Sequence, residues 1–226
     1  MDLLSTLGTL LPAALGVAIS PIPIIATVLM LLSPRAGRTA PAFAVGWVLG
    51  LTGVIALAIV LAGPSAADTG AHSERASWAQ LVLGVLFLLL AWNAWRRRPA
   101  PGTEPTMPSW LAGLDKVSPT GALGLGLLLS AVNPKNLALG VAGGVAIAAG
   151  NLSTGAEITS IVVFVAIASI LVVGPVVAYL VARQRMSGPL ESLKDFMAAH
   201  NAAIMMVLLG ALGLSSLGKG LGGLLG

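Results

Sequence analysis

Long apolar runs alternate with short polar breaks along the whole chain. A helix needs about 20 apolar residues to cross the hydrocarbon core of a bilayer. Six runs approach or exceed that length, at residues 5–32, 40–62, 77–95, 119–149, 157–182 and 200–218. The pattern predicts an all-α integral membrane protein with six transmembrane helices.

Composition supports this class and argues against several others. Only 9% of the residues are charged, whereas a soluble domain carries about 25%. The chain has no cysteine and two isolated histidines, so disulfides and a thiolate metal site are excluded. It also lacks a serine elbow, a zinc-binding HExxH motif and a phosphate-binding glycine loop. We therefore expect no enzyme activity, no metal and no cofactor.

The basic residues lie between the apolar runs and indicate topology rather than nucleic-acid binding. Nine of the 12 lysines and arginines fall in the first, third and fifth loops, at 33–39, 96–118 and 183–199. Loops rich in Lys and Arg remain in the cytoplasm. The bias predicts that these loops are cytoplasmic and that both termini are outside. We expect the protein to be a multi-pass protein of the cell (inner) membrane.

Two of the runs contain helix-breaking prolines at matching places. Pro21 and Pro134 are separated by 113 residues, half of the 226 in the chain. Each half would contribute three helices, and an odd number inserts the second half from the opposite face. The spacing predicts an inverted 3+3 repeat with broken helices 1 and 4. Within this single transmembrane domain, repeat 1 is 1–98, a cytoplasmic linker is 99–118 and repeat 2 is 119–226.

Lys135 is the most informative residue of the fourth run, because it lies near the middle of the predicted span. A lysine at that depth is costly and normally faces a partner, a cavity or a substrate. Apart from Glu157 at the edge of the fifth run, no Asp or Glu lies in a predicted span. An anionic substrate group would therefore have to balance the charge of Lys135, or Lys135 would have to lose its proton. A structural role remains open, in which Lys135 snorkels or caps carbonyls freed by the break. The candidate substrate pathway comprises the polar and proline residues around both breaks: Ser20, Pro21, Pro23, Ser130, Asn133, Pro134, Lys135 and Asn136.

Three further patterns concern packing. Small residues favour close helix contact, and they occur at Ala42, Gly46, Gly50 and Gly53 in the second run and at Gly140 and Gly144 in the fourth. Segments 110–117 and 189–200 are amphipathic. Each is interpreted as an interfacial helix or as a packing helix at the foot of the bundle.

Two short motifs carry a resemblance to a known family. Gly-x-x-x-Ser-Pro-x-Pro at residues 16–23 and Asn-Pro-Lys at residues 133–135 resemble the LysE superfamily of exporters. Within it the chain is most similar to the GAP or Sap proteins, which address peptidoglycolipids and sulfolipids to the cell surface. Amino-acid exporters of the superfamily usually have Ser-Pro-Gly-Pro, and Ile22 replaces that glycine here. The resemblance therefore implies a lipid or lipid-linked substrate rather than a small polar one.

Three functions remain open at this stage. The first is an inner-membrane exporter or translocation factor for a lipid-linked envelope molecule. The second is an exporter of a small solute, such as an amino acid or a cation. The third is a membrane scaffold for envelope-lipid enzymes that transports nothing. The partners we consider are a membrane lipid or lipid-linked substrate, a second copy in a homodimer, and proteins of envelope-lipid biosynthesis or transport, but not nucleic acid.

Overall fold

In the computed structural model, every secondary-structure element of the described residues is a helix. The described residues are 2–62, 74–96, 98, 109–182 and 187–225. The helices are α1 (Leu3–Ala18), α2 (Pro21–Leu31), α3 (Ala36–Ala62), α4 (Glu74–Arg96), the 3₁₀ helix η1 (Ser109–Lys116), α5 (Pro119–Ala131), α6 (Pro134–Ala149), α7 (Thr154–Ala182) and α8 (Ser187–Leu225).

The first and fourth apolar runs each divide into two helices. The axes bend by 54° between α1 and α2 and by 65° between α5 and α6. Pro21 and Pro134 each begin the second helix of their pair, a position where a missing N–H costs nothing. The residues before them, Ser20 and Asn133, have extended backbone, as expected in front of proline. The predicted breaks are confirmed at both sites.

The helices define a multi-pass membrane protein with three to five candidate spans. Three of them, α3, α7 and α8, are each long and apolar enough to cross a bilayer, and each bent pair is a further candidate. The apolar part of α4, Gln80–Arg96, is shorter than these. The predicted count of six spans is therefore not confirmed by length and composition.

Some predicted boundaries are wrong. The predicted loop 33–39 is shorter, because α3 already begins at Ala36. In the predicted loop 183–199, residues 187–199 are the first turns of the continuous helix α8. Pro189 lies in the first turn, where proline is tolerated, and no proline follows it. In the predicted linker 99–118, residues 99–108 lie outside the described residues, and 109–116 form η1.

The chain divides into two compact units. The first comprises residues 1–67 and 107–197, and the second comprises 68–106 and 198–226. In the first unit, α3 packs against α5 and α6, while α7 packs against α1 and α2. In the second unit, α4 packs against the later part of α8, where a Cβ on Gly84 would lie 2.7 Å from the Leu217 side chain.

Glycines allow the closest approach inside the first unit. A Cβ on Gly46 of α3 would overlap the Leu123 carbonyl of α5, and one on Gly126 of α5 would overlap the Phe43 carbonyl of α3. Direct backbone contact of this kind is how membrane helices pack through small residues. Gly53 differs from the others, since a Cβ there would meet no atom within 4 Å.

Candidate functional site at the two helix breaks

The break between α1 and α2 frees backbone carbonyls in a buried region. In a continuous helix, the carbonyl of each residue accepts a hydrogen bond from the N–H four residues later. The carbonyls of Val17 and Ile19 would need N–H groups from Pro21 and Pro23, which proline lacks. The Gly16 carbonyl would need the N–H of residue 20, whose extended backbone ends the helix. These carbonyls must therefore find other donors.

Two side chains supply those donors. The Lys135 Nζ donates to the Gly16 carbonyl at 2.7 Å and to the Ile19 carbonyl at 3.3 Å. The Ser20 Oγ donates to the Val17 carbonyl at 2.8 Å. The C-terminal end of α1 is thus capped partly by its own next residues and partly by the first turn of α6.

The break between α5 and α6 is satisfied in a parallel way. The Leu129 carbonyl loses the N–H of residue 133, and Asn136 Nδ2 donates to it at 3.0 Å. Asn133 Oδ1 accepts from the backbone N–H of Lys135 at 3.1 Å and so caps the start of α6. Asparagine is one of the preferred residues at this capping position. Side chains from the start of α6 therefore cap the ends of both α1 and α5.

One hydrogen bond joins the side chains of the two breaks directly. Ser20 Oγ donates to Asn136 Oδ1 at 3.0 Å. A hydroxyl has one proton, so this proton is shared between Asn136 and the Val17 carbonyl. Ser20, Lys135 and Asn136 are 2%, 3% and 0% exposed. We call these three buried side chains the break cluster.

Backbone dipoles bear on the protonated form of Lys135 in two opposing ways. Lys135 lies in the first turn of α6, where the helix dipole disfavours a cation, but it reaches the last carbonyls of α1, where a dipole favours one. Among the described residues, no carboxylate lies within ion-pair distance of it. An ammonium has three protons, and two are used by the two carbonyls.

The structure brings most of the predicted pathway residues together, with Ser130 as the exception. Pro21, Pro23 and Asn133 form the breaks around the cluster, and Pro134 begins α6 at an exposed position. Ser130 Oγ instead donates to the Leu127 carbonyl at 3.1 Å, and it lies against Gly50 of α3. Ser130 therefore belongs to the contact between α3 and α5 rather than to the break cluster.

Sequence reasoning missed the acceptors of this site. The carbonyls of Gly16 and Leu129 each lie four residues before the extended residue of a break. That interval is the helical hydrogen-bond spacing, so the position of each break does predict which carbonyl is freed. The sequence does not show which side chain reaches it.

The fold and the break cluster define a class of protein: a multi-pass helical membrane protein built around two broken helices with a buried lysine between them. Residues 10–222 match the family model described as Sap, sulfolipid-1-addressing protein, and this range includes both breaks. The chain belongs to that family. No curated protein and no solved structure matches this chain.

Proposed function

We propose that the chain is an exporter or translocation factor in the cell (inner) membrane that moves a lipid-linked envelope molecule. The observation that carries this proposal is the hydrogen-bonded contact of Lys135, a buried ionisable residue, with the carbonyls freed at the opposite break. Ionisable residues at membrane depth mark substrate pathways. The match to a family of sulfolipid-addressing proteins supports a role in handling lipid-linked envelope molecules.

The chemistry of the break cluster suits an anionic substrate group. Lys135 is held by neutral carbonyls, and hydrogen bonds between two ionised groups are stronger than those to a neutral acceptor. An anionic headgroup entering the cluster would use the third ammonium proton and then compete with the Gly16 and Ile19 carbonyls. Losing those bonds would weaken the contact between the end of α1 and the start of α6. Substrate binding would in this way be coupled to a change at both bends.

The packing of the first unit supports a repeat of its two halves, and three spans in each half would make that repeat inverted. If the halves are exchanged, α1 corresponds to α5, α2 to α6, and α3 to α7. The contacts of α3 with α5 and α6 then correspond to those of α7 with α1 and α2, and both sets are present. The freed carbonyls of Gly16 and Leu129 are 113 residues apart, as are the extended residues Ser20 and Asn133. A six-span arrangement of the LysE type follows if α4 is the remaining span.

A scaffold remains the second candidate, and one observation favours it. Both hydrogen bonds of Lys135 Nζ go to carbonyls that would otherwise be unpaired. This is what a lysine with a purely structural, capping role would do. A scaffold would need the cluster only to hold its helices in place. It would tolerate any replacement that keeps the helices packed, whereas an exporter would need the charge.

The direct test is a comparison of surface lipids in cells with and without this chain. We expect one class of lipid-linked anionic molecule to be depleted at the surface and to accumulate in the cell interior when the chain is absent. Complementation with the intact chain should restore it. Complementation with Lys219→Met, which removes an exposed charge of α8, should restore it equally. An unchanged lipid distribution without the chain would contradict the proposal.

A further inference from the structure

A cleft of about 510 Å³ opens where the turn between α2 and α3 meets the start of α5. It is lined by Pro34, Arg35, Gly37, Arg38 and Pro119. All of these residues belong to the first unit. The cleft is distinct from the break cluster, with which it shares no residue.

The cleft is positively charged. Arg35 and Arg38 both line it, and none of its described lining residues is acidic. A guanidinium has five N–H donors in a planar fork. Arg35 donates through Nη1 to the Lys116 carbonyl at 3.4 Å, which leaves its other donors for a ligand. Within the part of the chain that the structure describes, the Arg38 guanidinium has no hydrogen-bond or ion-pair partner.

The backbone adds to this positive field. Ala36 begins α3 and Pro119 begins α5, so the N-terminal ends of two helices lie beside the two arginines. Each N-terminus carries a partial positive charge. The position of Gly37 is also open, because a Cβ there would meet no atom within 4 Å. The cleft therefore combines the guanidinium groups of two arginines, the N-terminal ends of two helices and open volume.

From this arrangement we infer that the cleft binds a tetrahedral oxyanion, of the phosphate-ester or sulfate-ester class, through Arg35 and Arg38. Planar guanidinium groups match such oxyanions in a bidentate way, and basic pockets between membrane helices bind anionic headgroups. The ligand is either the headgroup of a lipid or a free inorganic anion, and the two share this chemistry.

The location gives the cleft a role in transport, and that part of the inference rests on the proposed function. Helix α2 has 11 residues, so at 1.5 Å per residue the cleft lies about 16 Å along it from the first break. Half of a hydrocarbon core is about 15 Å. If α2 runs along the membrane normal, a headgroup held in the cleft lies at one membrane surface, about one leaflet away from the first break. The cleft would be the docking site from which the substrate enters the pathway.

Binding can be measured on the purified full chain in nanodiscs of neutral phosphatidylcholine. The probes are dioctanoyl phosphatidic acid, inorganic phosphate and inorganic sulfate, with dioctanoyl phosphatidylcholine as the neutral control. We expect saturable binding of the anionic probes, weakened by salt. Arg35→Gln and Arg38→Gln should each weaken it about tenfold, the effect of losing a charge-assisted hydrogen bond. Tighter binding of the lipid than of either inorganic anion identifies a headgroup site, and equal binding identifies a free-anion site.

Two further variants distinguish a specific binding site in the cleft from a general effect of positive surface charge. Gly37→Leu fills the cleft and keeps both arginines, so it should also weaken binding about tenfold. Arg98→Gln removes an arginine that lies over the Trp95 ring instead, and it should leave binding unchanged. No saturable binding, or equal losses in Arg98→Gln and Arg38→Gln, would overturn the inference.

Binding in nanodiscs is measured without transport, so the oxyanion site and the proposed function can fail separately. Absent binding together with normal export would refute the oxyanion site but not the proposed function. Clear binding by a chain whose removal leaves surface lipids unchanged would refute the proposed function and its docking role, but not the oxyanion site.

Discussion

The Lys135 Nζ and the Gly16 carbonyl oxygen are 2.7 Å apart, although their residues are 119 positions apart in the chain. The contact links the first turn of α6 to the last turn of α1. A buried acceptor without a partner costs about 1–3 kcal/mol, and Lys135 supplies the donor for the Gly16 carbonyl as well as for the Ile19 carbonyl.

Topology can be tested with single cysteines, because the chain has none of its own. Ser153 and Gly113 are both exposed, and they fall in loops predicted to lie on opposite sides of the membrane. An impermeant maleimide added to intact cells or spheroplasts should label Ser153→Cys and spare Gly113→Cys. Both should be labelled after permeabilisation. Labelling of Gly113→Cys alone in intact cells would show that the orientation is opposite to the predicted one.

The contact between α3 and α5 should be sensitive to added volume. Gly126→Val would place a side chain onto the Phe43 carbonyl, and overpacking of this kind costs about 1–3 kcal/mol. We expect a Tm several degrees lower in detergent. Gly124→Val on the same helix is the matched control, since a Cβ there meets no atom within 4 Å. Equal melting of the two variants would mean that α3 and α5 do not approach closely at Gly126.

The parts of this fold that were predictable from sequence are those set by local chemistry. Pro21 and Pro134 break their helices because proline lacks an N–H, wherever the rest of the chain lies. The end of the fifth loop was harder to predict, because the amphipathic segment after Pro189 forms a helix whether or not it is continuous with the next span. The partner of Lys135 is a backbone carbonyl, and every residue has one. No side-chain pattern could therefore identify it.

Contact between the breaks can be measured as a coupling energy. Ser20 Oγ donates to Asn136 Oδ1 at 3.0 Å in a buried position. A double-mutant cycle of Ser20→Ala and Asn136→Ala should give a coupling of about 1 kcal/mol, typical of residues in direct contact. The free energy of unfolding would be measured in mixed detergent micelles. The control cycle pairs Ser20→Ala with Thr39→Ala, whose buried hydroxyl donates to the Arg35 carbonyl, and it should show no coupling. Additive effects of Ser20→Ala and Asn136→Ala would mean that the two breaks are not in contact through these side chains.

Charge and hydrogen bonding at position 135 can be distinguished by three substitutions. Lys135→Met removes both, and Lys135→Gln removes the charge but keeps an N–H donor on a shorter side chain. Lys135→Arg keeps the charge with a different shape and hydration. If Lys135 only caps the freed carbonyls, the Lys135→Gln variant should retain most of its export activity. If the ammonium binds an anionic headgroup, Lys135→Gln should fail like Lys135→Met, and Lys135→Arg should be partly active.

The most direct test of the central claim is export by these variants, measured as surface lipid per molecule of membrane-inserted protein in complemented cells. We expect Lys135→Met and Lys135→Gln to lose export by about tenfold or more, since charge-assisted hydrogen bonds contribute about 1.5–3 kcal/mol. Lys219→Met should export normally. Normal export per molecule by Lys135→Met or Lys135→Gln, with any loss following protein abundance alone, would contradict a role for the buried charge in transport.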